Sequence, residues 1–318
     1  MIAYIARRVV YLVPTWLGIT LLAFLLSTLA PGDPARTYFQ RTHGRQPRPA
    51  ELAQTRARFG LDDPAPQHYL EWVSGAVRGD LGLSFSSGQP VTDELLERFP
   101  ATLQLSAAAT LVAVVIALPV GILAALHRNS VIDQLTRGAA MLGASIPSFW
   151  LAYLLIIFFS IKLGLFPPLG YGGIEHLVLP AFALGLGDAA IVARLTRSSL
   201  LEVIGEDYVT TARAKGVSER RVVVRHILRN SLTAVVTQIG LVFGFLLAYS
   251  AIVEYIFVWP GIGRLAVEAI GQRDYNMIQG FVVFAGTMFV LINLAVDLVY
   301  LWLDPRVTLG VRERPAVA

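Results

Sequence analysis

The side chains in this sequence that could do chemistry point away from catalysis. Three acids, Asp188, Glu254 and Asp297, fall within or beside long apolar runs. A carboxylate is costly in hydrocarbon, so each must face a bundle interior or water. Strung along a path, such groups would suit ion-coupled transport. Three acids near run ends, with no arginine in mid-run, suit interhelical hydrogen bonding better. Gly143-Ala144-Ser145 offers a hydroxyl, but no histidine lies inside a run to act as its base. Ser145-Ile146-Pro147 reads as a local kink. The five histidines (His43, His68, His127, His176, His226) sit in polar segments or at run ends, and cysteine is absent, which excludes disulfides and thiolate metal sites. The patterns G-x-x-x-x-G-K-[ST], H-E-x-x-H and G-x-S-x-G are missing. We therefore expect no catalytic residue, no metal site and no cofactor in this chain.

The most informative polar stretch is 194–231. It reads as helix, turn, helix. The first helix ends on the small residues Ala212 and Ala214 before Gly216, a residue that tolerates positive φ. Ser218 is placed to cap the second helix, with Glu219 in its first turn. Arg221, Arg225 and Arg229 recur every fourth residue and form a stripe, with Val224, Ile227 and Leu228 on another face. A basic amphipathic helix commonly lies on a membrane surface. DNA binding by such a motif needs a helix free to enter a groove, and this one is tethered between apolar runs. A short hairpin with small residues at its elbow is shaped to fill a cleft in a cytoplasmic partner.

Six apolar runs hold these groups: 9–30, 101–126, 139–161, 177–193, 232–253 and 281–303. At about 1.5 Å per residue most span a hydrocarbon core of about 30 Å. Hydrophobic residues make up 55% of the 318, charged residues only 15%, against about 25% charged in soluble domains, and mean hydropathy is +0.61. The chain is expected to be an all-α polytopic membrane protein. The first run is longer than a signal core, lacks a small-residue cleavage site and is closed by Pro31-Gly32-Asp33-Pro34, so it reads as a retained span. The net charge of +4 belongs to loops that orient the protein rather than to nucleic-acid binding. With the N-terminus in the cytoplasm, the inner segments hold fifteen basic residues and the two short outer loops three, Lys162, Arg264 and Arg273. That is a positive-inside bias, and it puts both termini in the cytoplasm. The long segment 31–100 then lies outside. It reads as short helices near 50–59 and 67–77 with a Gly79-Asp80-Leu81-Gly82 turn, and it carries Tyr38, Phe39, Phe59, Tyr69, Trp72, Phe85 and Phe99. The rings suit a small cap packed on itself, and collectively a docking surface for an extracytoplasmic partner.

Tyr208-Val209-x-Thr211-Ala212-Arg213-Ala214-Lys215-Gly216 followed by His226-x-Leu228-Arg229-Asn230 resembles the EAA loop of binding-protein-dependent ABC importers. The version is that of the dipeptide/oligopeptide/nickel permease family, and the likeness runs through nearly the whole chain. Arg7-Arg8, Gly18-Ile19-Thr20, Gly60-Leu61-Asp62, Arg98-Phe99-Pro100-Ala101-Thr102-Leu103, Ser145-Ile146-Pro147-x-Phe149-Trp150, Pro260-Gly261-Ile262-Gly263-Arg264, Arg273-Asp274-Tyr275 and Asp304-Pro305-Arg306 are similar to its B-type subunit. Thr210 and Arg229 depart from the broad consensus, where many families carry glutamate and proline; both are ordinary for the peptide branch.

The resemblance implies a MetI-like permease of six transmembrane helices with an extracytoplasmic helical insertion and a cytoplasmic EAA hairpin. Its expected divisions are 1–30 (N-terminus and first span), 31–100 (insertion), 101–303 (core, with the coupling loop 194–231) and 304–318 (cytoplasmic tail). It implies a transport subunit, not an enzyme, for peptides in the bacterial inner membrane. Expected partners are a C-type permease forming a heterodimer, two ABC ATPase subunits that hold the ATP and Mg, and a substrate-binding protein. The residues implied in ATPase coupling are Tyr208, Thr211, Ala212, Arg213, Ala214, Lys215, Gly216, His226 and Arg229. Ser145 and Glu254 are carried as candidates for the substrate path. The alternatives are a permease for nickel, glutathione or another small solute, and a secondary transporter.

Overall fold

The computed structural model describes residues 2–29 and 33–303. The Pro31-Gly32 turn, the Arg7-Arg8 and Asp297 side chains and the tail 304–318 fall outside what is described. The described residues are helical, with one isolated antiparallel bridge between Leu83 and Pro90. In chain order the helices are α1 (Ile2–Leu29), α2 (Pro34–His43), α3 (Pro49–Arg58), α4 (Ala65–Val77), α5 (Val91–Leu126), α6 (Val131–Ser145) and α7 (Ser148–Leu155), which runs on as a π-helix (Ile156–Lys162). Then follow α8 (Ile174–Ile204), α9 (Asp207–Ala214), α10 (Glu219–Arg221) with a π-helix (Val222–Leu228), α11 (Arg229–Tyr249), α12 (Ala251–Ile256), α13 (Ile262–Gln272) and α14 (Tyr275–Leu303).

Among the described residues five helices are long and apolar enough to cross a membrane, six if the bent pair α6–α7 counts as one span. The bend falls inside the expected third span. The two helices meet at 98° because Pro147 lacks an N–H and pushes the preceding residue out of the helical region. Ile146 accordingly sits at φ −84°, ψ 119°. At this bend the Ser145 hydroxyl donates to the Met141 carbonyl one turn back at 2.8 Å. Two other spans outrun their apolar cores. α8 continues through Arg194 to Ile204, and α10, the π-turns and α11 form one 31-residue helix, Glu219–Tyr249.

The described residues divide into two compact units, one of 104–258 with 291–303 and one of 2–103 with 259–290. In the first, α8 is the central helix. It packs on α5 through a four-residue repeat, Leu105, Ala109, Ala113, Ala117, Gly121 and Ala125, all buried. Small residues at this spacing let helix backbones approach closely. A Cβ on Gly185 would overlap the Ala109 carbonyl, and one on Gly121 would lie 2.7 Å from both the Ala193 carbonyl and the Thr196 Cβ. α6 is tied to α8 by charge. Arg197 donates to both oxygens of Asp133 at 2.7 Å, and Asp133 also accepts from the Asn129 N–H at 3.0 Å.

The second unit contains the segment expected outside the membrane. Its helices at α3 and α4 match the sequence expectation, and α2 is a further helix, started by the Asp33 carboxylate accepting from Ala35 N–H at 3.1 Å. Beside it, the Arg45 guanidinium and then the Arg48 N–H hold the Glu51 carboxyl down to about 2. The rings pack inward. Tyr38, Phe59 and Phe85 form successive edge-to-face pairs at 5.0 and 5.1 Å. Phe24 of α1 meets Tyr69 at 5.3 Å and Trp72 at 6.4 Å, and the Tyr69 hydroxyl lies 3.0 Å from that of Thr20. Asp274, 1% exposed, accepts from the hydroxyls of Ser84 and Ser86 at 2.6 and 2.7 Å, from Ser86 N–H at 2.9 Å and from Met277 N–H at 3.1 Å. It thereby fastens the Gly79–Gly88 loop to the start of α14.

Candidate coupling site

The hairpin at 207–229 is built around a left-handed turn. Gly216 has φ 75°, a conformation costing other L-residues about 1–2 kcal/mol. Gly216 N–H donates to the Arg213 carbonyl at 2.9 Å and Val217 N–H to the Ala212 carbonyl at 3.2 Å, which satisfies the last carbonyls of α9 as a Schellman cap. Val217 packs on the same apolar cluster as Ala212, the hydrophobic contact that accompanies this cap. Beyond Gly216 and its chain neighbours, no atom of the described residues lies within 4 Å of where a Gly216 Cβ would stand. The turn is thus open to whatever approaches it, and the positive φ rather than internal crowding requires glycine.

Ser218 stands at the start of the second helix as expected, but its side chain forms no capping bond. Glu219 instead reaches back across the turn and accepts from Arg213 at 2.7 and 3.1 Å. The apolar face differs from an α-helical projection. Val222 and Ile227 are fully buried, whereas Val224 is 58% exposed. The cause is the π-helical stretch, in which hydrogen bonds run from i to i+5, so residues five apart rather than three or four apart fall on one face. With Val209, Ala212, Leu200 and Ala125 these two residues form a cluster that seats the hairpin on the ends of α5 and α8. Burying each of the larger aliphatic side chains contributes roughly 1.5–3 kcal/mol. Asn230 links the hairpin's arms, donating to the Tyr208 hydroxyl at 2.9 Å and to the His226 carbonyl at 3.0 Å.

The nine residues singled out from the sequence are therefore brought together, in different settings. Ala212 is buried as a packing residue and His226 is half-buried. Tyr208, Thr211, Arg213, Ala214, Lys215, Gly216 and Arg229 are exposed, as are Arg221 and Arg225. Val209, Val222, Leu200 and Glu219, the partner of Arg213, were not among them. A π-helical register would have pointed to Val222, but the sequence carries no reliable mark of one. The two path candidates lie elsewhere. Ser145 is at the α6–α7 bend, and Glu254 in α12 is fully buried and accepts from Ser250 at 2.8 Å. The hairpin presents donors and a small-residue elbow, and holds no arrangement of nucleophile and base.

Comparison with known proteins decides what such a hairpin belongs to. Residues 117–309 match the model of the binding-protein-dependent transport system inner membrane component, and residues 1–106 match the N-terminal model of the same system. The chain belongs to this permease family. It is 43% identical over 307 residues to the glutathione transport system permease protein GsiC of Escherichia coli O6:H1, covering 96% of this chain and 99% of that protein. It is 40% identical over 338 aligned positions to the dipeptide transport system permease protein DppB of Escherichia coli K12, with the same coverages. Among solved structures, the inward-facing MetNI methionine ABC transporter has a chain with TM-score 0.56 and 23% identity, covering 66% of this chain and 96% of that one. That likeness is one of fold. The permease is thus an ABC-transporter membrane subunit with the MetI-like helical architecture, as the motifs implied.

Proposed function

We propose that this permease carries di- or oligopeptides across the bacterial inner membrane, in a complex whose ATP is bound and hydrolysed by other subunits. The observation that carries the substrate class is the near-full-length similarity to a dipeptide permease and to a permease for glutathione, itself a tripeptide. In this reading the chain pairs with a C-type permease as a heterodimer, each bundle presenting one hairpin to one of two ABC ATPases, and a binding protein delivers peptide from outside. Both termini are cytoplasmic, so residues 194–231 face the ATPases and 31–100 face the binding protein. Residues 101–303 form the core and 304–318 a cytoplasmic tail.

The hairpin's construction suits force transmission. Its open Gly216 turn and the exposed Thr211, Arg213, Lys215, Arg221 and Arg225 can enter a cleft in the ATPase. The buried Val209–Ala212–Val222–Ile227 cluster carries movement of the elbow to α5 and α8. Movement reaches the bundle through continuous helix, since α11 runs from the hairpin into the span. ATP-driven closure would then rock the bundles between inward and outward access. Uptake of a labelled dipeptide, with and without competing glutathione, by vesicles holding the whole complex tests the substrate. Saturable ATP-dependent uptake supports the reading. Uptake of neither ligand, with active ATP hydrolysis, removes the peptide assignment. A glutathione importer is the second reading, favoured by the 43% identity; preference for glutathione over dipeptides would establish it.

A further inference from the structure

Outside the hairpin, the first unit holds a cleft of about 370 Å³ between α5, α6 and α8. One part is apolar, lined by Val120, Ala124, Ala140, Met141, Ala144 and Ala193, with Gly121, which crosses closely on α8, also in its wall. The other part is lined by Arg137, Arg194 and Arg197. Arg197 is spent on Asp133 at 2.7 Å. Arg137 and Arg194 are exposed and form no hydrogen bond or close ion pair with the described residues, though the Arg137 charge also acts on Asp133. Three guanidinium groups against one carboxylate leave this part of the cleft with an excess of about two positive charges. Beside it, α6 exposes Leu135, Met141 and Leu142 at 68–76%, so the cleft opens beside an apolar surface. An apolar slot with cationic groups on one side is complementary to an anionic amphiphile.

We propose that this cleft holds an anionic phospholipid of the inner leaflet, its phosphate held by Arg137 and Arg194 and an acyl chain along the alanine-lined wall. The placement in the inner leaflet rests on the proposed orientation, in which these arginines lie at the cytoplasmic end of the spans. The lipid would brace α6 against α8 beside the Asp133–Arg197 pair, near the base of the coupling hairpin.

The experiment places the assembled transporter in phosphatidylcholine nanodiscs doped with a photoreactive phosphatidylglycerol and maps cross-linked peptides by mass spectrometry. It needs no transport activity, so it can fail while the peptide reading stands. Cross-links on α6 and α8 are expected, weakened about fivefold by Arg137→Gln or Arg194→Gln and roughly 25-fold by both. Arg137→Lys with Arg194→Lys should keep most of the labelling. Ala140→Phe, which fills the slot and leaves the charges in place, should reduce it. Equal labelling of the double glutamine or the Ala140→Phe variant would overturn the proposal. So would displacement by inorganic phosphate, which would mark a free-anion site. Labelling of the isolated chain that vanishes on assembly would also overturn it, because a partner subunit would then cover the cleft. Should the double glutamine variant fail to assemble, the lysine pair and Ala140→Phe decide alone.

Discussion

Arg213 and Glu219 close a two-pronged ion pair across the Gly216 turn, Nη2 to Oε1 at 2.7 Å and Nε to Oε2 at 3.1 Å. Both side chains are largely exposed, at 39% and 60%, so the pair adds little to stability in water. Its effect is geometric, fixing the angle between α9 and the second helix. Arg213→Glu or Glu219→Arg should leave the melting temperature nearly unchanged but lower transport coupled to ATP hydrolysis. The doubly exchanged Arg213→Glu/Glu219→Arg protein should recover part of it. No recovery would mean that Arg213 itself touches the ATPase.

Gly216→Leu is expected to insert and fold, since its Cβ would stand in open space and its strain is about 1–2 kcal/mol. ATPase association, measured by copurification, should be lost because the leucine projects from the open face of the turn. Gly216→Ala should retain more association than leucine. Normal uptake by the leucine variant would show that the elbow does not enter a cleft.

The α5–α8 crossing gives a contrast between glycines. Gly185→Leu places atoms where the Ala109 carbonyl stands, so overpacking should cost more than the usual 1–3 kcal/mol and prevent stable assembly. Gly187→Ala meets only the Gly143 carbonyl, 4.0 Å away, and should be tolerated. Thermal melts of the purified complex in detergent check both. Equal tolerance would mean that the two helices separate more readily than their burial implies.

Trp259 tests the second unit. It is fully buried, its indole N–H donates to the Ala101 carbonyl at 2.8 Å, and next to it Thr102 Oγ1 accepts from Ile262 N–H at 2.9 Å. Trp259→Ala should destabilise the protein by about 3–5 kcal/mol, read as a lower melting temperature and greater protease sensitivity. Trp259→Phe should fall between the two.

Orientation has a direct readout. In an otherwise cysteine-free chain, Ser87→Cys and Ser218→Cys should react with an impermeant maleimide from opposite faces of sealed membranes. Reaction of both from one face would refute the topology drawn from the arginine distribution.

What the sequence made legible follows from how local each signal is. The spans appeared as long apolar runs, and the elbow as small residues before a glycine; the cap expected at Ser218 does not form. Both are properties of short windows. The bend at Ser145-Ile146-Pro147 was visible as a kink, but its 98° size depends on packing around α6 and α7. Of the apolar face read as Val224, Ile227 and Leu228, Ile227 is buried and Leu228 packs on the same cluster, but Val224 is exposed and Val222 is buried instead, because a π-helical register shifts the period and leaves no mark in residue type. The Leu105–Ala109–Ala113–Ala117–Gly121–Ala125 repeat could have been read as a close-packing stripe, since its spacing is regular. The Asp133–Arg197 pair could not: 64 residues separate the partners, and one carboxylate among many gives no sign of which arginine will reach it.

The central claim is that the chain conducts peptide under the control of ATP hydrolysed elsewhere and transmitted through the 207–229 hairpin. The most direct measurement is uptake of labelled dipeptide into proteoliposomes holding the complete complex and its binding protein, energised either by enclosed ATP or by an ion gradient alone. Accumulation with ATP, dependent on the binding protein, and none with the gradient is the predicted result. Accumulation driven by the gradient without ATP would contradict it.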